Sequence, residues 1–116
     1  MKEIKRGEIY FANLNSSESS VQSGFRPVII VQNNVGNAHS PTTIVVPLTS
    51  KQKKKYLPTH VMIKANDVTG LRCDSVALME QVRTMSKEDL RNKVGCVDDM
   101  APVDKALSIS MGLIMA

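Results

Sequence analysis

Two short apolar runs, Val28-Ile29-Ile30-Val31 and Ile44-Val45-Val46-Pro47-Leu48, most constrain what this chain can fold into. Both are rich in β-branched residues, which lose χ1 freedom in a helix and pack well on a pleated surface. Neither alternates with polar residues, so each reads as a strand covered on both faces. A chain of 116 residues has room for one such core, which predicts a single domain over residues 1–116.

The flanking segments fill in the rest. Gly7 to Leu14 reads as a first strand, with Ile9 and Phe11 on one face and Glu8 and Tyr10 on the other. The serine-rich stretch Asn15 to Gly24 predicts a mobile loop. Asn33-Asn34-Val35-Gly36-Asn37 predicts a turn, and Pro47, which has no N–H to donate, predicts a sheet edge or a bulge. Thr59 to Lys64 reads as a short strand and Ser75 to Thr84 as a long one. Ser86 with Asp89 resembles a capping box, and Met85 with Leu90 a hydrophobic staple, so a helix is expected to start at Ser86. A second helix fits Pro102 to about Leu113, with Val103, Ala106, Leu107, Ser110 and Ile114 on one stripe. This is a mainly β chain with flanking helices, a small barrel or coiled sheet covered by a terminal helix.

The net charge of +4 favours a polyanionic partner without requiring one. Tyr10, Phe11, Phe25 and Tyr56 are the only aromatics, too few for the stacking platform of common RNA-binding modules. Recognition of RNA would then rest on hydrogen bonds, shape and charge. Cys73 and Cys96 are too few for a disulfide framework and lie in no metal-binding motif, so reduced thiols are expected. The start of the chain lacks a signal-peptide pattern and no run approaches membrane-spanning length, which predicts a cytoplasmic protein without membrane contact.

Candidate chemistry gathers at strand mouths. Arg26 lies where the polar loop becomes the Val28–Val31 run, and Pro27 biases it toward extended geometry. There a guanidinium can meet phosphate through its planar fork of donors, or be an ordinary surface arginine. Thr49 and Ser50 end the next strand, before Lys51, Lys53, Lys54 and Lys55, which are either a solvated charge run or a phosphate track. His39 and His60 fall on different predicted elements, so they do not suggest the histidine pair of a familiar ribonuclease.

Gly24-Phe25-Arg26-Pro27-Val28-Ile29-Ile30-Val31-Gln32-Asn33, Val45-Val46-Pro47-Leu48-Thr49-Ser50, Leu57-Pro58-Thr59-His60-Val61 and Glu80-Gln81-Val82-Arg83-Thr84, in this order, resemble the MazF/PemK family of toxin endoribonucleases. The likeness runs from Lys5-Arg6-Gly7-Glu8-Ile9-Tyr10 to Ala106-Leu107-Ser108-Ile109-Ser110. It implies an SH3-like barrel and a sequence-selective, metal-independent endoribonuclease that cleaves single-stranded RNA without a cofactor. It also implies a homodimer silenced by a cognate antitoxin protein. Arg26 and Thr49 match the catalytic pair of some members, and Arg72-Cys73-Asp74 an element that Kid-like relatives use, with Asp74 a base if burial raises its pKa. Gly24, Phe25, Lys53, Lys54, Leu57, Arg72, Ser75 and Gln81 are the implied RNA contacts. Arginine holds its proton far above neutral pH and threonine is no base, so the general base stays unassigned. Relatives carry a glycine-rich loop with an acid before the arginine, whereas this chain has Val21 at the position of that acid. A binding-only barrel is the alternative; the gyrase-binding form of it is disfavoured because the chain ends Leu113-Ile114-Met115-Ala116 and has no tryptophan.

Overall fold

The computed structural model describes residues 3–14, 24–51 and 57–116. The expected loop Asn15 to Gly24, apart from Gly24, and the lysines 53–55 lie outside the described residues. The described residues form seven strands: β1 (Glu8–Asn13), β2 (Phe25–Ile30), β3 (Thr42–Thr49), β4 (His60–Ile63), β5 (Ser75–Leu78), β6 (Arg83–Ser86) and β7 (Leu90–Cys96). Two helices join them, α1 (Asn34–His39) and α2 (Ala101–Ser110). The sheet is antiparallel in the order β4-β5-β3-β2-β1-β7, with β6 also pairing with β3. No helix among the described residues is long and apolar enough to cross a membrane.

The two apolar runs form the middle of this sheet and are covered on both faces, as their composition predicts. Val28, Ile29, Ile30, Val45 and Val46 have no exposed surface. Because side chains alternate along a strand, they feed two cores. Ile9, Ile29, Val46, Leu48 and Ala77 pack under α2 with Val103 and Ala106. Tyr10, Ala12, Val28, Ile30, Val45 and Leu90 pack on the other face with Ile4.

Five expectations need correction. Asn33 to Asn37 is not a bare turn: Asn33 caps α1, its side chain accepting from the Gly36 N–H at 2.8 Å. Pro47 is not at an edge: it pairs with Val28 on one side. On the other side it falls between the stretches of β3 that pair with β6 and with β5, where a missing N–H costs no ladder bond. The long strand from Ser75 to Thr84 breaks into β5 and β6 at a 3-10 turn over Met79–Gln81.

The helix expected at Ser86 is one 3-10 turn, Lys87–Asp89, followed by β7. The capping signal is real, since the Ser86 hydroxyl accepts from the Glu88 N–H at 3.3 Å. Propensity loses to tertiary pairing: Lys87 is buried with its ammonium on the Asn37 carbonyl. Residues 90–96, containing Asn92 and Gly95, pair with β1 instead of continuing a helix. α2 stops at Ser110 rather than near Leu113, because Gly112 takes φ +75°. Its N–H then donates to the Ile109 carbonyl at 3.0 Å while Leu113 reaches Ser108 at 2.8 Å, a Schellman ending. Ile114 consequently leaves the stripe and is exposed, with Met111, Leu113 and Met115.

Candidate nucleic-acid interface and active site

A cleft of about 660 Å3 opens at the start of β2. Phe25, Arg26 and Pro27 of β2, Phe11 of β1 and Leu48 of β3 line it together with Ser50. Gly70, Leu71, Arg72, Cys73 and Ser75 form one wall, and Asn92, Lys93 and Val94 of β7 form the wall beside it.

Arg26 and Thr49 flank the end of the β2–β3 pairing. β2 and β3 pair Ile30 with Val45, Ile29 with Val46 and Val28 with Pro47. The pairing ends there: Thr49 goes on to pair with Val76 of β5, while Arg26 pairs with Ala12 of β1, so the two residues lie just beyond the last β2–β3 pair. Arg26 lines the cleft. Thr49 is buried between the lining residues Leu48 and Ser50, and its Oγ1 accepts from the Lys51 N–H at 3.3 Å.

The walls meet through backbone. Asn66 Oδ1 accepts from the N–H groups of Val68 and Thr69, both at 2.9 Å, closing a tight turn before Gly70. The Cys96 N–H then donates to the Val68 carbonyl at 3.0 Å, fastening this turn to β7. Gly70 has φ +67°, and a Cβ there would sit 2.0 Å from the Val94 carbonyl oxygen, so only glycine fits. On β7, Lys93 Nζ meets Glu8 Oε2 at 2.7 Å, and this carboxylate raises the lysine pKa from its ordinary value. Burial, with the same carboxylate, pushes the Tyr10 hydroxyl up.

The residues expected from sequence are thus partly gathered. Arg26, Phe25, Arg72 and Ser75 share the cleft, and Ser75 Oγ donates to the Cys73 carbonyl at 3.1 Å. Gly24, with φ +77°, leads into β2 and is exposed. Asp74 is exposed rather than buried, between two lining residues, and one of its oxygens accepts from the Ala65 N–H at 2.8 Å. Gln81 lies away from the cleft in the 3-10 turn, where Arg83 donates to its carbonyl and side-chain oxygens. Leu57 is exposed, and its N–H donates to His60 Nδ1 at 3.3 Å. Lys53 and Lys54 lie outside the described residues. His60 is buried away from the cleft and binds Glu80 at 3.0 Å. Burial pushes the Glu80 carboxyl up, but hydrogen bonds from His60, its own N–H and Thr59 outweigh it and hold the pKa below the ordinary value. Among the described residues, no three His, Cys, Asp or Glu side chains converge as metal ligands.

Sequence reasoning missed Phe11, Asn92, Lys93 and Val94. The last three were concealed by the helix expected after Ser86; Gly95 and Asn92, both weak helix formers, were the signal against it.

Residues 5–111 match the family described as PemK-like, MazF-like toxin of type II toxin-antitoxin system. Endoribonuclease EndoA of Bacillus subtilis (strain 168) is 48% identical over 113 residues, covering 96% of this chain and 97% of that protein. An endoribonuclease from a mycobacterial species, solved in complex with its cognate antitoxin, superposes with TM-score 0.78 at 26% identity, covering 97% of this chain and 99% of that one. MazF of Deinococcus radiodurans shares the fold, with TM-score 0.78 at 21% identity over 97% of this chain and 99% of its own. The chain belongs to the PemK-like, MazF-like toxin family of type II toxin-antitoxin systems.

Proposed function

We propose that this MazF-like endoribonuclease toxin cleaves single-stranded messenger RNA in the Arg26 cleft, selectively by sequence and without a metal ion, and so inhibits translation and growth in the cytoplasm. The observation that supports the site assignment is the open cleft at the start of β2, which Arg26 lines together with Leu48 and Ser50, the neighbours of Thr49. Such cleavage needs the 2′-hydroxyl deprotonated, the phosphorane charge stabilised and the leaving 5′-oxygen protonated. Arg26 supplies donors for the charge and for the leaving oxygen. Thr49 is the hydroxyl proposed for a phosphate oxygen, and reaching it requires the buried strand end to open at Ser50. Asp74, flanked by the lining residues Cys73 and Ser75, is the nearby carboxylate proposed as base. Arg72, Ser75 and the segment 51–57 hold the RNA strand, and Gln81 reads a base from outside this cleft.

The proposed assembly is a homodimer, supported by the exposed apolar residues Met111, Leu113, Ile114 and Met115. A cognate antitoxin is the proposed silencing partner. Incubation of the purified protein with mixed RNA in EDTA tests the reaction. Products carrying 2′,3′-cyclic phosphates and 5′-hydroxyls at a recurring sequence word are expected. Activity lost on chelation and restored by a divalent ion would refute the metal-independent route.

A further inference from the structure

We propose that Phe11 and Phe25 form a two-ring platform in this cleft that stacks one unpaired nucleobase of the RNA, next to the phosphate held at Arg26. The inference rests on the RNA-cleaving reading above and adds the element that grips a base. β1 and β2 pair Phe11 with Pro27 and Asn13 with Phe25, so the two rings are diagonal neighbours on one face of the sheet. Their centroids are 6.3 Å apart and their planes differ by 14°, a stacked pair.

Phe11 is half-buried, while Phe25 leaves 59% of its surface exposed. An aromatic ring held at that exposure, with its orientation fixed by a ring behind it, is pre-organised for a flat apolar occupant. The surroundings select which one. Pro27 and Leu71 give the cleft an apolar lining, and Arg26 and Arg72 line the same cleft. Apolar rings among guanidinium groups match a nucleotide, whose base stacks while its phosphates meet the cations. Arg26 follows Phe25 directly but points to the other side of β2, and both reach the cleft because the strand begins there. The stacked base therefore belongs to a nucleotide adjoining the phosphate at Arg26. Stacking tolerates any base, so the platform adds grip rather than setting the cleavage word.

The test uses a single-stranded RNA bearing the parent protein's mapped cleavage word, with a 2′-O-methyl group blocking the attacking hydroxyl. Phe25→Leu keeps an apolar side chain but removes the ring, and is expected to weaken binding about tenfold. Phe25→Tyr should bind like the parent, and Phe11→Leu should fall between them. An oligonucleotide with an abasic residue next to the cleaved bond should lose affinity for the parent but little further affinity for Phe25→Leu. Parent-like binding by Phe25→Leu, with melting temperature unchanged, would overturn the platform while leaving the ribonuclease reading intact. Failure of the parent itself to bind or cleave RNA would overturn both.

Discussion

Replacing Gly95 by alanine is expected to damage the cleft from outside it. A Cβ at this position would lie 2.3 Å from the Thr69 carbonyl oxygen and 2.5 Å from that of Val68. Both atoms are backbone of the tight turn leading into the Gly70–Ser75 wall, so no side-chain rotation relieves the clash. Ordinary carbon–oxygen contact needs roughly another 1 Å of separation. The Cys96 N–H to Val68 carbonyl bond, now 3.0 Å, would then stretch beyond hydrogen-bonding range. Overpacking of this kind costs about 1–3 kcal/mol and the lost hydrogen bond about 1 kcal/mol, or roughly 3 kcal/mol together. Unfolding entropy at about 2.1 cal/mol/K per residue, over 116 residues, is about 0.24 kcal/mol/K, which makes the loss about 12 °C in Tm. Thermal unfolding followed by circular dichroism measures it. Cleavage assayed well below the lowered Tm should still be impaired, because Arg72 and Ser75 move with the turn. Gly36→Ala is the milder comparison: the atoms nearest its Cβ are in the Gln32 side chain, at 3.0–3.2 Å, and none of these is backbone. A Gly95→Ala protein that melts within about 3 °C of the parent would refute the claim that the turn rests on β7 backbone to backbone.

Arg26→Ala should lower the cleavage rate by about a hundredfold, the scale of losing one transition-state donor, with Tm near the parent's; an unchanged rate would remove Arg26 from the chemistry. Asp74→Asn keeps an oxygen for the Ala65 N–H but no base, so a large fall in rate with a normal fold is expected; a parent-like rate would leave Asp74 a loop cap only. Glu80→Gln should destabilise the protein at neutral pH and not in acid. The folded-state pKa of Glu80 lies below its ordinary 4.5, so its stabilisation is present above that value and disappears as pH falls through the folded one. A melting-temperature gap between parent and variant that stays constant from pH 7 to about pH 3 would contradict this linkage. Light scattering should give twice the 12.7 kDa chain mass; a fully active monomer would rule out the proposed dimer.

Strands with an apolar signature of their own were legible in the sequence. β2 and β3 needed only their β-branched content, and β4 its alternation. β7 was not legible, because Ser86 supplies a real local cap and the weak helix formers Asn92 and Gly95 do not outweigh it. Only the β1 edge, some eighty residues earlier in the chain, decides that segment. The Phe11–Phe25 stack was hidden for a similar reason: counting aromatics says how few there are, and only register says that two of them meet. Arg26 was readable because Pro27 marks a strand mouth locally. Thr49 at a strand end was readable too, but its burial is a property of the folded sheet.

The cleft draws on residues 11, 25–27, 48, 50, 70–73, 75 and 92–94, so one of its walls is made after all the others. During synthesis, the strands up to β6 emerge without β7, and the turn before Gly70 has nothing to fasten to. Until β7 pairs with β1, Arg26 has no wall at residues 92–94 beside it, and the cleft is open on that side.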